Sequence, residues 1–279
     1  MILTIDIGGT NIKYGLCDDM GCFLQKGDYA TPQTTQDIVE SICSLPFDYS
    51  GIAISMPGIM NEDHSKAYIT GKLSFLSDYP LKEDIMRIKN CKVTLENDGR
   101  CATWAELGFG NLMDSKNALV VVLGTYIGMG IVINHKVYEG SHLLAGEYSD
   151  AHMDTEKTYK NTMAAYFGKD GLERATGLTG RELFDCLDDE KVYADFNKYC
   201  QNLAWMLNNL QLLLDVDTIL IGGGISAQPK LIDCIKENMI GLKQWFSTLE
   251  MPIVRACKFN NDANLLGALC YYKNNTENH

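Results

Sequence analysis

The sequence predicts a duplicated α/β protein, with two similar domains facing each other and a ligand held between their glycine turns. Two observations predict it. In residues 2–15, alternating Leu3, Ile5 and Ile7 read as a strand, Gly8 and Gly9 permit a tight reversal, and Ile12 onward resumes a strand. A second copy of this hairpin appears when Thr10 is laid on Thr125: Gly9 falls on Gly124, Ile12 on Ile127, Gly15 on Gly130 and Leu16 on Ile131, with Val120, Val121 and Val122 over Ile5, Asp6 and Ile7. Adjacent glycines expose backbone N–H groups, Thr10 adds a hydroxyl donor, and Asp6 can hold a cation beside an anion, a combination suited to phosphate with Mg²⁺. The plain alternative is an ordinary hairpin with Asp6 as a turn acid. Only the first copy keeps its acid, so a metal role belongs to Asp6, while Thr125 and its neighbours supply uncharged donors.

The remaining elements follow in order. Residues 18–21 make a turn, 22–29 a third strand, and Thr34 or Thr35 caps a helix with Ile38, Ile42 and Leu45 on one face and Pro46 beyond it. Residues 51–55 return as a buried strand ending at Met56-Pro57-Gly58, a turn that either touches a ligand or simply punctuates the chain. The pattern weakens over 61–79, where a substrate-facing excursion is expected. Pro80 opens a helix to Ile88, and strand 93–95 leads into Glu96-Asn97-Asp98-Gly99 and a helix over 100–107. Asn97 and Asp98 therefore sit where open α/β sheets place ligand-contacting groups, although Asp98 also reads as a helix N-cap.

A Gly, Asn and Asp-rich hinge is expected at 108–115. It divides a first domain, 1–112, completed by the last helical segment, 264–279, from a second domain, 113–263. In the second half a third strand over 137–139 precedes a polar loop, 140–154, carrying Glu147 after Ala145-Gly146; an acid there is either a ligand or a solvated charge. Helices are expected over 158–167, 179–187 and 192–214, the last with Phe196, Leu203, Leu207, Leu210 and Leu214 at helical spacing. Strand 218–221 runs into Gly222-Gly223-Gly224, whose lack of side chains lets a flat ring lie against the backbone, or serves a tight turn. A helix over 229–239, a strand over 253–256 and a helix over 264–272 complete the chain, the last crossing back to pack on the first domain.

With 279 residues and 46% apolar content the chain can fill a core in each of two domains. A net charge of −12 with no basic run excludes nucleic acid as an expected partner. Ten cysteines form no C-x-x-C pair, and several lie in apolar periodic segments, so buried thiols in a reducing cytoplasm are expected. No secretory signal is read at the amino terminus. The longest apolar stretch, 118–133, is broken by Gly124, Gly128 and Gly130, so no membrane span is expected.

Taken together, Asp6-Ile7-Gly8-Gly9-Thr10, Glu96-Asn97-Asp98, Leu123-Gly124-Thr125, Ala145-Gly146-Glu147 and Ile221-Gly222-Gly223-Gly224 resemble, in order and spacing, a ROK-family sugar kinase, and the pattern is nearest to β-glucoside kinases. The resemblance runs from Met1 to about Tyr272. It implies the duplicated actin-like, ribonuclease-H-like fold with a cleft between two domains, and transfer of the γ-phosphate of ATP to a sugar hydroxyl. Asp98 would be the general base on the 6-hydroxyl, Asn97 and Glu147 sugar ligands, and Gly58 a backbone neighbour of the sugar. Gly8, Gly9, Thr10, Gly124 and Thr125 would cradle phosphates, Asp6 would sit near Mg²⁺, and Gly222, Gly223 and Gly224 would flank adenosine. Relatives often form homodimers, which is the assembly the resemblance implies.

Three departures shape the expectations. Tyr126 and Met129 stand where relatives usually have glycine, which puts the hold on ATP in doubt. Relatives often carry a cysteine-rich zinc site after the Gly-Glu motif; here 148–196 contains only Cys186, so no zinc site is expected. Asp150 occupies the position of a family histidine that contacts sugar and zinc, and His152 would replace it only with a shifted loop. A shorter acid at Asp150 is expected to leave the anomeric end of the sugar site open, favouring β-glucosides such as cellobiose over glucose or an N-acetylated hexosamine. The alternative of another class is a sugar-binding regulator without catalysis.

Overall fold

The computed structural model describes residues 1–153, 155, 158–242 and 250–277. Asp154, at the end of the expected polar loop, and residues 278 and 279 of the final segment lie outside the described residues. The chain forms two compact units, the first of Met1–Met113, Glu139–Ala145 and Asn261–His279, the second of Asp114–Tyr138 and Gly146–Asn260. The sequence division left 139–145 in the second domain; the segment belongs to the first unit, with Leu143 buried in that unit's core.

In the first unit, β1 (Ile2–Ile7), β2 (Asn11–Cys17) and β3 (Phe23–Ala30) run antiparallel. Helix α1 (Thr35–Cys43) follows, its first turn closed by the Thr34 hydroxyl accepting from the Asp37 N–H and its Ile38, Val39 and Ile42 face buried. Then come β4 (Gly51–Met56), the short pair β5 (Ile59–Met60) and β6 (Ala67–Tyr68), α2 (Leu81–Lys89), β7 (Lys92–Asn97) and α3 (Asp98–Phe109). The sheet order is β3-β2-β1-β4-β7, with β4 and β7 parallel to β1. Both β1 and β4 are buried along their whole length, which is why they read as continuous apolar runs.

The second unit repeats the design. β8 (Ala118–Leu123), β9 (Ile127–Ile133) and β10 (Lys136–Tyr138) are antiparallel, followed by α4 (Met163–Phe167), α5 (Lys169–Thr176), α6 (Gly180–Asp185), α7 (Glu190–Leu214), β11 (Thr218–Gly222), α8 (Pro229–Leu242) and β12 (Ile253–Ala256). The order β10-β9-β8-β11-β12 matches the first sheet strand for strand, and β11 and β12 are again parallel to the central strand. The helix expected over 158–167 is a 3₁₀ turn, Tyr159–Asn161, and then α4, because the Thr162 hydroxyl caps a new start by accepting from the Ala165 N–H. Helix α5 was not foreseen; its eight residues are too few to show a period.

The last helix, α9 (Ala263–Glu277), belongs to the first unit and lies against α3 and β4. The contact is close enough that a Cβ on Gly267 would collide with the Cys101 carbonyl, and one on Gly108 with the Cys270 thiol. Gly108 is therefore a packing residue inside α3 and not the start of a hinge. Among the described residues no helix is long and apolar enough to cross a membrane.

Candidate active site

In the first unit the candidate residues collect at the carboxyl ends of the parallel strands β1, β4 and β7. Asp6, next to last in β1, is buried; its Oδ1 accepts from Ser55 Oγ at 3.2 Å and from Asn264 Nδ2 at 3.0 Å, and Lys13 Nζ stands 4.0 Å from Oδ2. Burial raises the Asp6 carboxyl above the usual range, against the pull of Asn264 and Lys13. Sequence reading missed Ser55 and Asn264, since only folding brings β4 and α9 to β1, and it gave no role to Lys13, which lies opposite Asp6 in the β1–β2 hairpin. Gly8 donates to the Asn11 carbonyl at 3.1 Å and its own carbonyl accepts from Thr31 Oγ1 at 2.6 Å, which pins the turn and leaves Gly9 and Thr10 exposed at its tip.

Strand β7 hands Asn97 and Asp98 to the start of α3. Asn97, not Asp98, is the N-cap: its Oδ1 accepts from the Arg100 N–H at 3.1 Å, while Nδ2 donates to the Gly58 carbonyl at 3.0 Å. One N–H and one lone pair of that amide remain for a ligand. Gly58 has φ +107 and a Cβ there would lie 2.7 Å from the Tyr68 carbonyl oxygen, so the turn after β4 requires glycine. Asp98 accepts from the Gly99 N–H at 2.8 Å. Burial, and then the charge of Asp6, push its carboxyl up to about 6. A carboxylate with that value is ionised at neutral pH yet basic enough to take a hydroxyl proton as it is released.

Beside these residues lies a charged cluster that the sequence did not reveal. Glu96 is fully buried; its Oε1 accepts from Arg100 Nε at 2.8 Å and from the Asn97 N–H at 2.7 Å. His64, inside the excursion after β4, and Glu139 complete it, and one ring nitrogen of His64 and one carboxylate oxygen each of Glu96 and Glu139 lie within 4.8 Å of one another. These residues come from three distant stretches, and no spacing in the chain links them.

In the second unit, Gly124 and Thr125 form the turn between β8 and β9 and line a cavity of about 240 Å³, together with Gly168, Lys169, Gly224 and Ile225. The turn is held by the Gly124 N–H donating to the Tyr126 carbonyl at 3.0 Å and by the Lys169 N–H donating to the Gly124 carbonyl at 2.9 Å. The three glycines after β11 divide their work. Gly222 is the buried last residue of β11, Gly223 has φ +94 and backs closely onto the Leu123 backbone, and Gly224 faces open space in the cavity wall. Gly224 is thus the one that offers a surface to a flat ring. Met129 is 4% exposed in the core of the unit, away from the cavity, whereas Tyr126 is 58% exposed with its ring edge-on to Tyr159 at 6.4 Å. Of the two departures from glycine, Tyr126 alone can affect a ligand at the turn. Gly146 has φ +94 and a Cβ there would lie 2.5 Å from the Met129 carbonyl oxygen, so it seats the chain against β9; Glu147 follows half-buried and Asp150 is exposed.

The sequence pattern of the ROK family matches residues 2–275. The chain belongs to the ROK family. Among its relatives, the β-glucoside kinase of Listeria innocua is 28% identical over 298 residues, covering 100% of this chain and 99% of that protein. The N-acetylmannosamine kinase of Haemophilus influenzae is 25% identical over 289 residues, covering 97% and 95%. A ROK-family protein of Streptococcus pneumoniae, whose crystal structure is a complex with sucrose, superposes with a TM-score of 0.89 at 28% identity over 100% of this chain and 99% of that one. The protein is an ATP-dependent sugar kinase of this family, with the family's two-domain α/β fold.

Proposed function

We propose that this ROK-family kinase phosphorylates β-glucosides such as cellobiose at the 6-hydroxyl, with Asp98 as general base. The observation that carries the catalytic assignment is Asp98 itself, placed at the end of β7, with burial and Asp6 raising its carboxyl to about 6. In the step this supports, the 6-hydroxyl gives its proton to the Asp98 carboxylate as its oxygen bonds to the γ-phosphorus and the bond to the leaving ADP breaks. Asn97 and Glu147 orient the sugar hydroxyls, and Gly58, held by Asn97, presents backbone to the ring. The Gly9-Thr10 and Gly124-Thr125 turns offer N–H and hydroxyl donors to phosphate oxygens. Asp6, a buried hard oxygen donor near the end of β1, would hold Mg²⁺ beside the phosphates; when bound, the ion would offset phosphate charge.

The β-glucoside preference is supported by the exposed acid at Asp150, where relatives that close around a free sugar carry histidine, and by the Listeria innocua relative. Comparing kcat/KM for cellobiose, glucose and N-acetylmannosamine tests it. A preference of about tenfold or more for either monosaccharide, roughly 1.4 kcal/mol in transition-state binding, rejects the assignment.

A further inference from the structure

Segment Glu139–Ala145 belongs to the first unit, and two anchors hold it there. Arg100 Nη1 donates to the Leu143 carbonyl at 3.0 Å, and Glu139 Oε2 lies 3.8 Å from His64 Nε2. Leu143 has φ +57, a left-handed conformation that strains a residue with a Cβ, so its burial and its bond to Arg100 must offset that strain. His64 is itself fixed from behind. Its ring stacks on Tyr271 with centroids 5.3 Å apart, and Nδ1 lies 3.2 Å from the Leu95 carbonyl oxygen and 4.0 Å from Glu96 Oε1. With Nδ1–H donating to Leu95, Nε2 carries a proton toward Glu139 only in the imidazolium; in the neutral ring it presents a lone pair to a carboxylate. Both anchors lead back to the candidate base: Arg100 lies two residues after Asp98, and Glu96, which backs His64, lies two residues before it.

We propose that His64 is a positioning residue for the sugar site: its imidazolium grips Glu139 and, with Arg100, holds the segment Glu139–Ala145 in its bound shape beside Asn97 and Asp98. The proposal rests on the sugar-kinase reading of those residues. The groups facing His64 are Glu96 from β7, Glu139 from the segment, Arg100 from α3 and Tyr271 from α9; Asp63, Lys82 and Lys92 share the cavity it lines. Burial disfavours the imidazolium and Arg100 opposes it too, but the close ion-pair contact with Glu139 and the charges of both glutamates outweigh them and raise its pKa above the ordinary histidine value. The same contact with His64 holds Glu139 below the usual carboxylate range. A raised histidine keeps its partner below that pKa and loses it as pH climbs through it, so the grip is complete in mild acid and released in base.

The test uses His64→Ala and His64→Gln in the full-length enzyme, with sugar and ATP kinetics from about pH 6 to about pH 9 and amide exchange of residues 139–145. His64→Ala is expected to raise the sugar KM about tenfold while kcat and the ATP KM stay within about twofold. Gln places an amide donor near the Nε2 position, so His64→Gln restores the low KM and abolishes its rise with pH. Exchange of the segment is expected to be faster in His64→Ala, and in the wild type at high pH after correction for the intrinsic rate. An unchanged sugar KM and unchanged exchange in His64→Ala, or a pH-dependent KM retained in His64→Gln, overturns the proposal. Because exchange needs no turnover, a wild type that phosphorylates no sugar on the panel refutes the proposed function while the grip is still tested.

Discussion

Replacing Asp98 by Asn separates a catalytic carboxylate from a merely structural one. Asn keeps the size of the side chain and an acceptor for the Gly99 N–H, now 2.8 Å away, and the cap of α3 belongs to Asn97, so the helix start is preserved. It cannot accept a proton. If Asp98 takes the proton from the 6-hydroxyl, turnover falls by about 10² to 10⁴, or roughly 2.7–5.4 kcal/mol in the barrier. Stability moves the other way. A carboxyl raised from 3.8 to about 6 binds protons more tightly in the folded protein than in the unfolded chain, so folding stability falls as pH rises across that interval and stays low above it. Removing the charge is therefore expected to make the variant more stable at pH 7 by on the order of 1–3 kcal/mol. The same value predicts that wild-type kcat/KM falls as pH is lowered through about 6, the limb reporting the free enzyme's base. Urea unfolding, a coupled ADP-release assay and sugar binding by calorimetry measure all of this. Near-normal turnover in a folded, sugar-binding variant refutes the assignment.

Three other outcomes are expected. Arg100→Ala leaves Glu96 buried beside no guanidinium and should cost about 3–5 kcal/mol in urea unfolding, while a loss under about 1 kcal/mol would mean water reaches the pair. Gly224→Val adds a branched side chain where the cavity wall is open; the ATP KM should rise about tenfold with sugar binding unchanged, and an unaltered ATP KM would move the nucleotide elsewhere. Activity should require added Mg²⁺ and be unaffected by prior removal of zinc with a chelator; elemental analysis finding one tightly held zinc per chain would contradict the zinc-free expectation.

The sequence by itself determined the duplication. Strand pattern, glycine turn and following antiparallel strand are local signals, and each half carries them in register, so both five-stranded sheets have one order. It also determined where to look for chemistry, because motifs such as Gly58 and Asn97-Asp98 sit at strand ends whose position follows from the strands themselves. What tertiary structure alone decided are the contacts between stretches far apart in the chain. Gly108 looks like a hinge until α9 is found lying on it, and Met129 looks like a lost phosphate-loop glycine until its side chain is seen in the core. His64, Arg100 and Glu139 carry no spacing that links them, since an ion-pair cluster needs only proximity of charge, and proximity is created when the turn between β5 and β6, α3 and the segment after β10 fold together. The value near 6 for Asp98 has the same origin: a carboxylate's affinity for its proton is set by burial and by neighbouring charge, neither of which is written in the residues beside it.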